Sequence, residues 1–204
     1  MFKNILKLLA STTLLMAFQC NNEEPLPTLK INKYRVNITG QSSFSISDTI
    51  WIEGTVSSKA YYEEINDSIF FDAHQENRLK IMKFIQPTQN VNCIDARDNF
   101  QIIRNVGVIN VDSFCETKRI ITYAEISEDS LFYNYKIGLK PLTQGDFFIY
   151  CHESIIHNEN RNEFIMEHYR IDEFSNQTIG FIQCGSTAWI DTTNSESYFY
   201  FKVE

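Results

Sequence analysis

Glycine and proline are scarce in this chain: seven glycines and four prolines in 204 residues. Seven scattered glycines leave no glycine-rich loop to cradle a phosphate and no G-x-S-x-G step on which a serine nucleophile could stand. No C-x-x-C pair occurs, which removes the usual ligand spacing of a zinc site. Basic residues number 18 against 26 acidic ones, so the positive surface that binds nucleic-acid phosphates is missing. No apolar run reaches the roughly 20 residues of a membrane-spanning helix.

Aromatic residues, by contrast, are plentiful. Sixteen Phe and ten Tyr, within an apolar fraction of 43%, supply a core and exclude a disordered chain. The length suits one β domain or two small ones. Alternation with a period of two dominates from Leu29 onward. Residues 33–39 set Tyr34, Val36 and Ile38 against Lys33, Arg35 and Asn37. Residues 48–56 set Ile50, Ile52 and Val56 against Trp51, Glu53 and Thr55. Residues 131–139 place Leu131, Tyr133, Tyr135, Ile137 and Leu139 on one face, the pattern of a half-buried antiparallel strand. Residues 120–126 alternate Ile120, Ala124 and Ile126 with Ile121, Tyr123 and Glu125, and residues 127–130 read as the hairpin turn between these two strands.

Shorter strands are expected at 68–71, 79–85, 100–104, 106–111, 146–151, 178–184, 187–190 and 198–203. In the last, Phe199, Phe201 and Val203 face inward and Tyr198 and Tyr200 outward. Polar loops are expected at 72–78, 86–92 and 152–162. Only residues 61–65 and 162–169 offer weak helical signals, the second fitting a strand about equally well. Many strands with frequent turns predict an all-β, antiparallel β-sandwich with few or no helices. Residues 145–151, running from Gly145 through Phe147, Phe148 and Tyr150 to Cys151, resemble the penultimate strand of immunoglobulin-like domains. That resemblance implies an Ig-like sandwich.

The first twenty residues carry an address. Lys3 and Lys7 precede an apolar run from Leu8 to Phe18, the pattern of a secretory signal. The run ends on Met16-Ala17-Phe18-Gln19-Cys20, followed by Asn21-Asn22-Glu23-Glu24. This resembles the lipobox of bacterial exported lipoproteins in its looser Bacteroidota form, and Glu23-Glu24 resembles the surface-export tag of that group. The resemblance implies a signal peptide over 1–19, palmitate-type acylation of Cys20, a tether over 20–28 and a folded domain over 29–204. It also implies an outer-membrane location with the domain exposed at the cell surface, the periplasm-facing arrangement being the alternative. Two acyl chains hold a protein stably where one would be marginal. Two lysines leave with the signal, so sixteen basic against twenty-six acidic residues give the mature chain a net charge of −10.

Four further cysteines remain: Cys93, Cys115, Cys151 and Cys184. An even number in an exported chain reads as disulfides. Three pairings are open; Cys93–Cys115 with Cys151–Cys184 is favoured because each joins segments near in sequence. Free buried thiols are the alternative.

The constellations that carry chemistry are thin. His152-Glu153-x-x-x-His157 has its second histidine at i+5, where a helix would not bring the rings together. His74 and His168 stand alone among charged neighbours. Acidic pairs at Glu63-Glu64, Asp95/Asp98 and Asp172-Glu173 lack the ladder of a calcium loop. No metal and no cofactor are expected. Asp followed by Ser or Thr recurs at Thr49, Ser68, Ser130 and Thr192. This resembles the O-glycosylation site of exported Bacteroidota proteins; the same dipeptides also cap turns. Tyr61-Tyr62 in a loop, with Tyr198 and Tyr200, could present a flat, polar-tipped surface to a protein or glycan ligand.

These readings lead to a lipid-anchored cell-envelope protein, a non-catalytic binding or structural subunit that touches the membrane through its N-terminal lipid. The rivals are a carbohydrate-active sandwich hydrolase, whose two carboxylates would have to meet in space, and an inhibitor or immunity-type lipoprotein whose acidic surface meets a basic partner.

Overall fold

The computed structural model describes residues 28–72, 76–157, 162–171, 178–190, 192 and 195–204. In chain order the strands are β1 (Leu29–Lys30), β2 (Tyr34–Ile38), β3 (Ser43–Phe44), β4 (Ile50–Ser57), β5 (Lys59–Tyr62) and β6 (Asp67–Phe70). There follow β7 (Glu76–Thr88), β8 (Val91–Asp95), β9 (Phe100–Val106), β10 (Val108–Phe114), β11 (Thr117–Tyr123) and β12 (Glu125–Ile126). The last are β13 (Phe132–Pro141), β14 (Gly145–Cys151), β15 (Ser154–His157), β16 (Ile179–Gln183), β17 (Ser186–Ile190) and β18 (Tyr198–Val203). Short 3-10 turns cover Glu63–Ile65, Arg97–Asn99, Glu163–Tyr169 and Ser195–Ser197.

Two large sheets face each other, so the all-β sandwich is present. The front sheet runs β12-β13-β4-β2-β15, with β9 also on β13; the central sheet runs β10-β11-β7-β14-β18-β3, with β8 also on β7. The alternation of β2, β4 and β13 does what the sequence asked. Tyr34, Val36, Ile38, Ile50, Ile52, Val56, Tyr135, Ile137 and Leu139 are buried against Leu79, Ile81, Phe147, Ile149, Phe199 and Phe201 of the central sheet. Each such side chain contributes about 1.5–3 kcal/mol by leaving water. Phe147 stacks on Phe201 at 5.6 Å and receives the edge of Phe100 at 5.1 Å between centroids.

The strand expected at 146–151 is present as Gly145–Cys151, flanked by β7 and β18. Pairing is antiparallel except at two edges, where β15 lies parallel to β2 and β3 parallel to β18. Parallel neighbours need a long connection, and both pairs are far apart in sequence.

Several expectations are corrected. Tyr198 and Tyr200 are not outward-facing but buried, at 2% and 3% exposure. The central sheet is covered on its second face as well. There Met82, Phe84, Phe148, Tyr198 and Tyr200 pack under Ile165 and Met166 of the 163–169 turn and Ile179 and Phe181 of the β16–β17 hairpin. Alternation along β18 separates its two faces but cannot reveal a third layer supplied by chain elsewhere. Asn92, almost fully buried, stitches that layer down: its amide nitrogen donates to the carbonyls of Tyr169 (2.8 Å) and Thr178 (2.9 Å), and its oxygen accepts the Gly180 N–H (2.9 Å).

The expected loops at 86–92 and 152–162 contain the start of β8 and all of β15, whose polar residues hid them. Tyr61-Tyr62 lies in β5, not in a loop. Ile126 and Leu131 are exposed, because the chain passes at Ala124 from the central to the front sheet and the alternation restarts there. The 127–130 turn forms as expected, Ser127 N–H donating to Phe132 O at 2.7 Å.

The disulfide expectation is also corrected. Cys115 is bonded to Cys184, while Cys93 and Cys151 are free and buried. Cys115 and Cys184 occupy the two-residue tips of the β10–β11 and β16–β17 hairpins. Nearness in sequence was a poor guide because Cys93, in the middle of β8, and Cys151, at the end of β14, are buried in two different cores.

Candidate binding surfaces

Cys20, the expected signal over 1–19 and all of the expected tether but Thr28 lie outside the described residues, as do His74 and the Asp172-Glu173 pair. Where the chain enters the structure it is pinned. Thr28 N–H donates to Glu64 Oε1 at 2.8 Å, Glu63 N–H to the Thr28 carbonyl at 3.3 Å, and Leu29 lies opposite Tyr62. A small sheet of β1, β5 and β6 follows. It joins the sandwich through Ser58, fully buried, whose N–H donates to Leu131 O (2.9 Å), whose hydroxyl donates to Ser130 O (2.6 Å) and whose carbonyl accepts Phe71 N–H (2.8 Å).

The four candidate glycosylation residues do not converge. Ser68 and Ser130 are exposed, whereas Thr49 and Thr192 are half-buried. Three of the preceding aspartates accept backbone N–H groups: Asp48 accepts Ser45 N–H (2.7 Å), Asp67 accepts Ser68 N–H (2.7 Å) and Asp129 accepts Leu131 N–H (3.0 Å). Asp191 lies outside the described residues. Turn capping accounts for the dipeptide at Asp48 and Asp129, while Asp67 opens β6, and the exposed hydroxyls of Ser68 and Ser130 are the ones a transferase could reach.

The acidic pairs are committed to structure. Glu63 pairs with Lys30. Asp98 pairs with Lys118 and Arg97. Asp95 accepts the N–H groups of Lys118 (2.8 Å) and Arg97 (3.2 Å); burial pushes its carboxyl above the ordinary value, and these two bonds pull the other way. Among the described residues no three metal-ligating side chains gather.

Two concavities stand at the end of the sandwich where the chain enters. One is a polar cleft of about 700 Å³ lined by Lys33, Tyr34, Glu76, Asn77, Arg78, His152 and Glu153. Arg78 and Glu76 pair with each other. His152 Nδ1 lies 3.1 Å from the Tyr150 hydroxyl, and its Nε2 lies 3.7 Å from Glu153. His157 ends β15 on the other side of Ser154, so the two histidines of the i+5 pair share no site. The buried phenols of Tyr34 and Tyr135 are pushed above their ordinary value by burial and act as neutral groups.

The other concavity is apolar. It has about 480 Å³, with Val108, Tyr123, Ala124, Ile126 and Tyr133 on its walls and Asp72 and Glu125 as its two charged residues. It opens beside β10, the edge strand of the central sheet. Sequence reasoning missed this site. Val108, Val111 and Phe114 are spaced by three along β10, which fits no period of two, and all three are exposed, but only Val108 lines the depression. An apolar residue every third position along a strand must leave some of them outside.

Comparison with known proteins returned no match: no family model, no curated protein and no solved structure matches the chain.

Proposed function

We propose that the chain is a lipid-anchored protein of the bacterial outer membrane, surface-exposed, that binds a partner rather than transforming a substrate. The anchor reading rests on the signal-like 1–19 segment and the lipobox-like approach to Cys20. The binding reading is carried by one observation: an apolar depression beside an open sheet edge, at the end of the domain where the tether enters. Seven residues lie between Cys20 and Thr28, so at most about 28 Å of extended chain joins them. On this reading the tether keeps that end of the domain near the membrane.

Metabolic palmitate labelling of wild type and Cys20→Ala, with protease added to intact cells, tests this. Label lost in the variant and digestion of the wild type from outside are expected. Equal label in both, or none in either, would remove the anchor; label with full protection would turn the protein toward the periplasm.

A further inference from the structure

We infer that the depression and the outer edge of β10 together receive an extended, basic segment of a partner protein, paired to β10 as an added strand. The inference rests on the binding reading above and adds the chemistry of the partner. Among the described strands β10 pairs only with β11, so one side of its backbone offers N–H and C=O groups with no strand opposite. Proteins usually blunt such an edge with lysine, proline or an inward charge. β10 carries none of the first two, and its one charge, Asp112, is paired with Arg119 of β11. An edge left open in this way is the template on which peptides add as strands.

The depression says what the added strand carries. Its walls are apolar and both of its charged residues are acidic. Asp72 is exposed, and Glu125 is fixed in place by accepting the Gly107 N–H at 3.1 Å. Gly107 sits at φ +85° just before β10, and a Cβ there would come within 2.6 Å of the Tyr123 carbonyl. The turn thus sets Val108 and Glu125 side by side. An apolar trough with two carboxylates in its lining accommodates a long aliphatic stem with a cationic head, which is lysine or arginine. The mature chain's net charge of −10 would draw such a segment in and repel acidic ones. The same charge disfavours an anionic bilayer as the occupant.

The test is a display selection of randomised extended peptides on the purified full chain, with a parallel sedimentation assay of the Cys20→Ala chain, which carries no acyl anchor, on phosphatidylglycerol vesicles. Recovered peptides are expected to carry lysine or arginine among β-favouring residues. Their binding is expected to weaken as salt rises, and about ten-fold in the Asp72→Asn/Glu125→Gln double variant, whose fold is checked by circular dichroism. A Val108→Arg variant, which places a cation of its own in the trough, is expected to block them. Enrichment of acidic or uncharged peptides, no enrichment, unchanged binding in the double variant, or vesicle binding in place of peptide binding would overturn the inference. Palmitate labelling is read separately, so loss of the anchor reading would not be mistaken for loss of this one.

Discussion

Asn77 and Tyr135 meet, buried, between the two large sheets, the amide nitrogen donating to the phenol oxygen at 2.7 Å. Asn77 belongs to β7 of the central sheet and Tyr135 to β13 of the front sheet. The Ser154 hydroxyl donates to the other end of the Asn77 amide at 2.9 Å, so the group is satisfied on both sides. A satisfied polar pin inside an apolar sandwich fixes register: a slip of either strand would strand a buried amide. Tyr135→Phe removes one acceptor and leaves the Asn77 amide short of a partner. A loss of about 1–3 kcal/mol is expected in urea unfolding. Because the groups share one network, the losses in Tyr135→Phe and Asn77→Ala are expected to combine non-additively.

Gly54 makes room for the same ring. A Cβ at Gly54 would stand 2.0 Å from Tyr135 Cε1. The ring is held by its hydrogen bond and by its tilted contact with Tyr34 at 5.6 Å, so it cannot swing away freely. Gly54→Ala is expected to cost on the order of 2 kcal/mol or more through overpacking. The cost should shrink in a Tyr135→Leu background, where the ring is gone; equal cost in both backgrounds, measured by thermal unfolding, would contradict the explanation.

The Cys115–Cys184 bond spans 69 residues of sequence and ties the β16–β17 hairpin, part of the cover of the second core, to the β10–β11 hairpin. The chain-entropy model gives such a loop about 4 kcal/mol. The double Cys→Ser variant is expected to unfold at lower urea. Native-state hydrogen exchange should rise first in 179–190, because with the bond gone that hairpin keeps mainly the Asn92 bonds, the Glu116 carboxylate at its tip and its apolar face.

Glu116 gives a pH dependence with a definite sign. Its carboxylate accepts its own N–H and those of Cys184 and Gly185, which holds its pKa below the ordinary 4.5. A depressed folded value means the contribution is present above about 4.5 and is lost as pH falls through the folded value. Asp95 works in reverse: burial raises its pKa, so the penalty for its charge is relieved on acidification. Midpoints of thermal unfolding followed from neutral to acid pH should therefore fall less steeply in Glu116→Gln than in wild type. Identical profiles would show that the carboxylate contributes nothing at the clasp.

Much of the sandwich is legible in the sequence because most of its front sheet is wet on one side. β2, β4 and β13 show strict alternation, and the buried set follows it from Tyr34 to Leu139. Legibility fails where a strand is covered on both faces or where a polar strand sits at an edge. β18 reads Tyr-Phe-Tyr-Phe, and no rule of two says that its tyrosines lie beneath Ile165 and Phe181. β15 is Ser-Ile-Ile-His, too short and mixed to separate from a loop. The disulfide follows from topology alone, since two hairpin tips meet only after the third layer folds over the central sheet. The depression beside β10 is likewise assembled from four separate stretches, at 72, 108, 123–126 and 133, and of the misfit apolar residues of β10 only Val108 belongs to it.

Five cysteines with three different fates give the most direct test of the account. Peptide mass mapping of the protein purified from the envelope, under non-reducing conditions and with alkylation before and after unfolding, reads all of them at once. Cys20 is expected to be N-terminal and acylated, and Cys115 joined to Cys184. Burial raises the pKa of the Cys93 and Cys151 thiols far above the ordinary value, so both should be alkylated only after unfolding. A Cys93–Cys115 or Cys151–Cys184 peptide would contradict the three-layer architecture, and an unmodified Cys20 behind an uncleaved 1–19 segment would contradict the anchor.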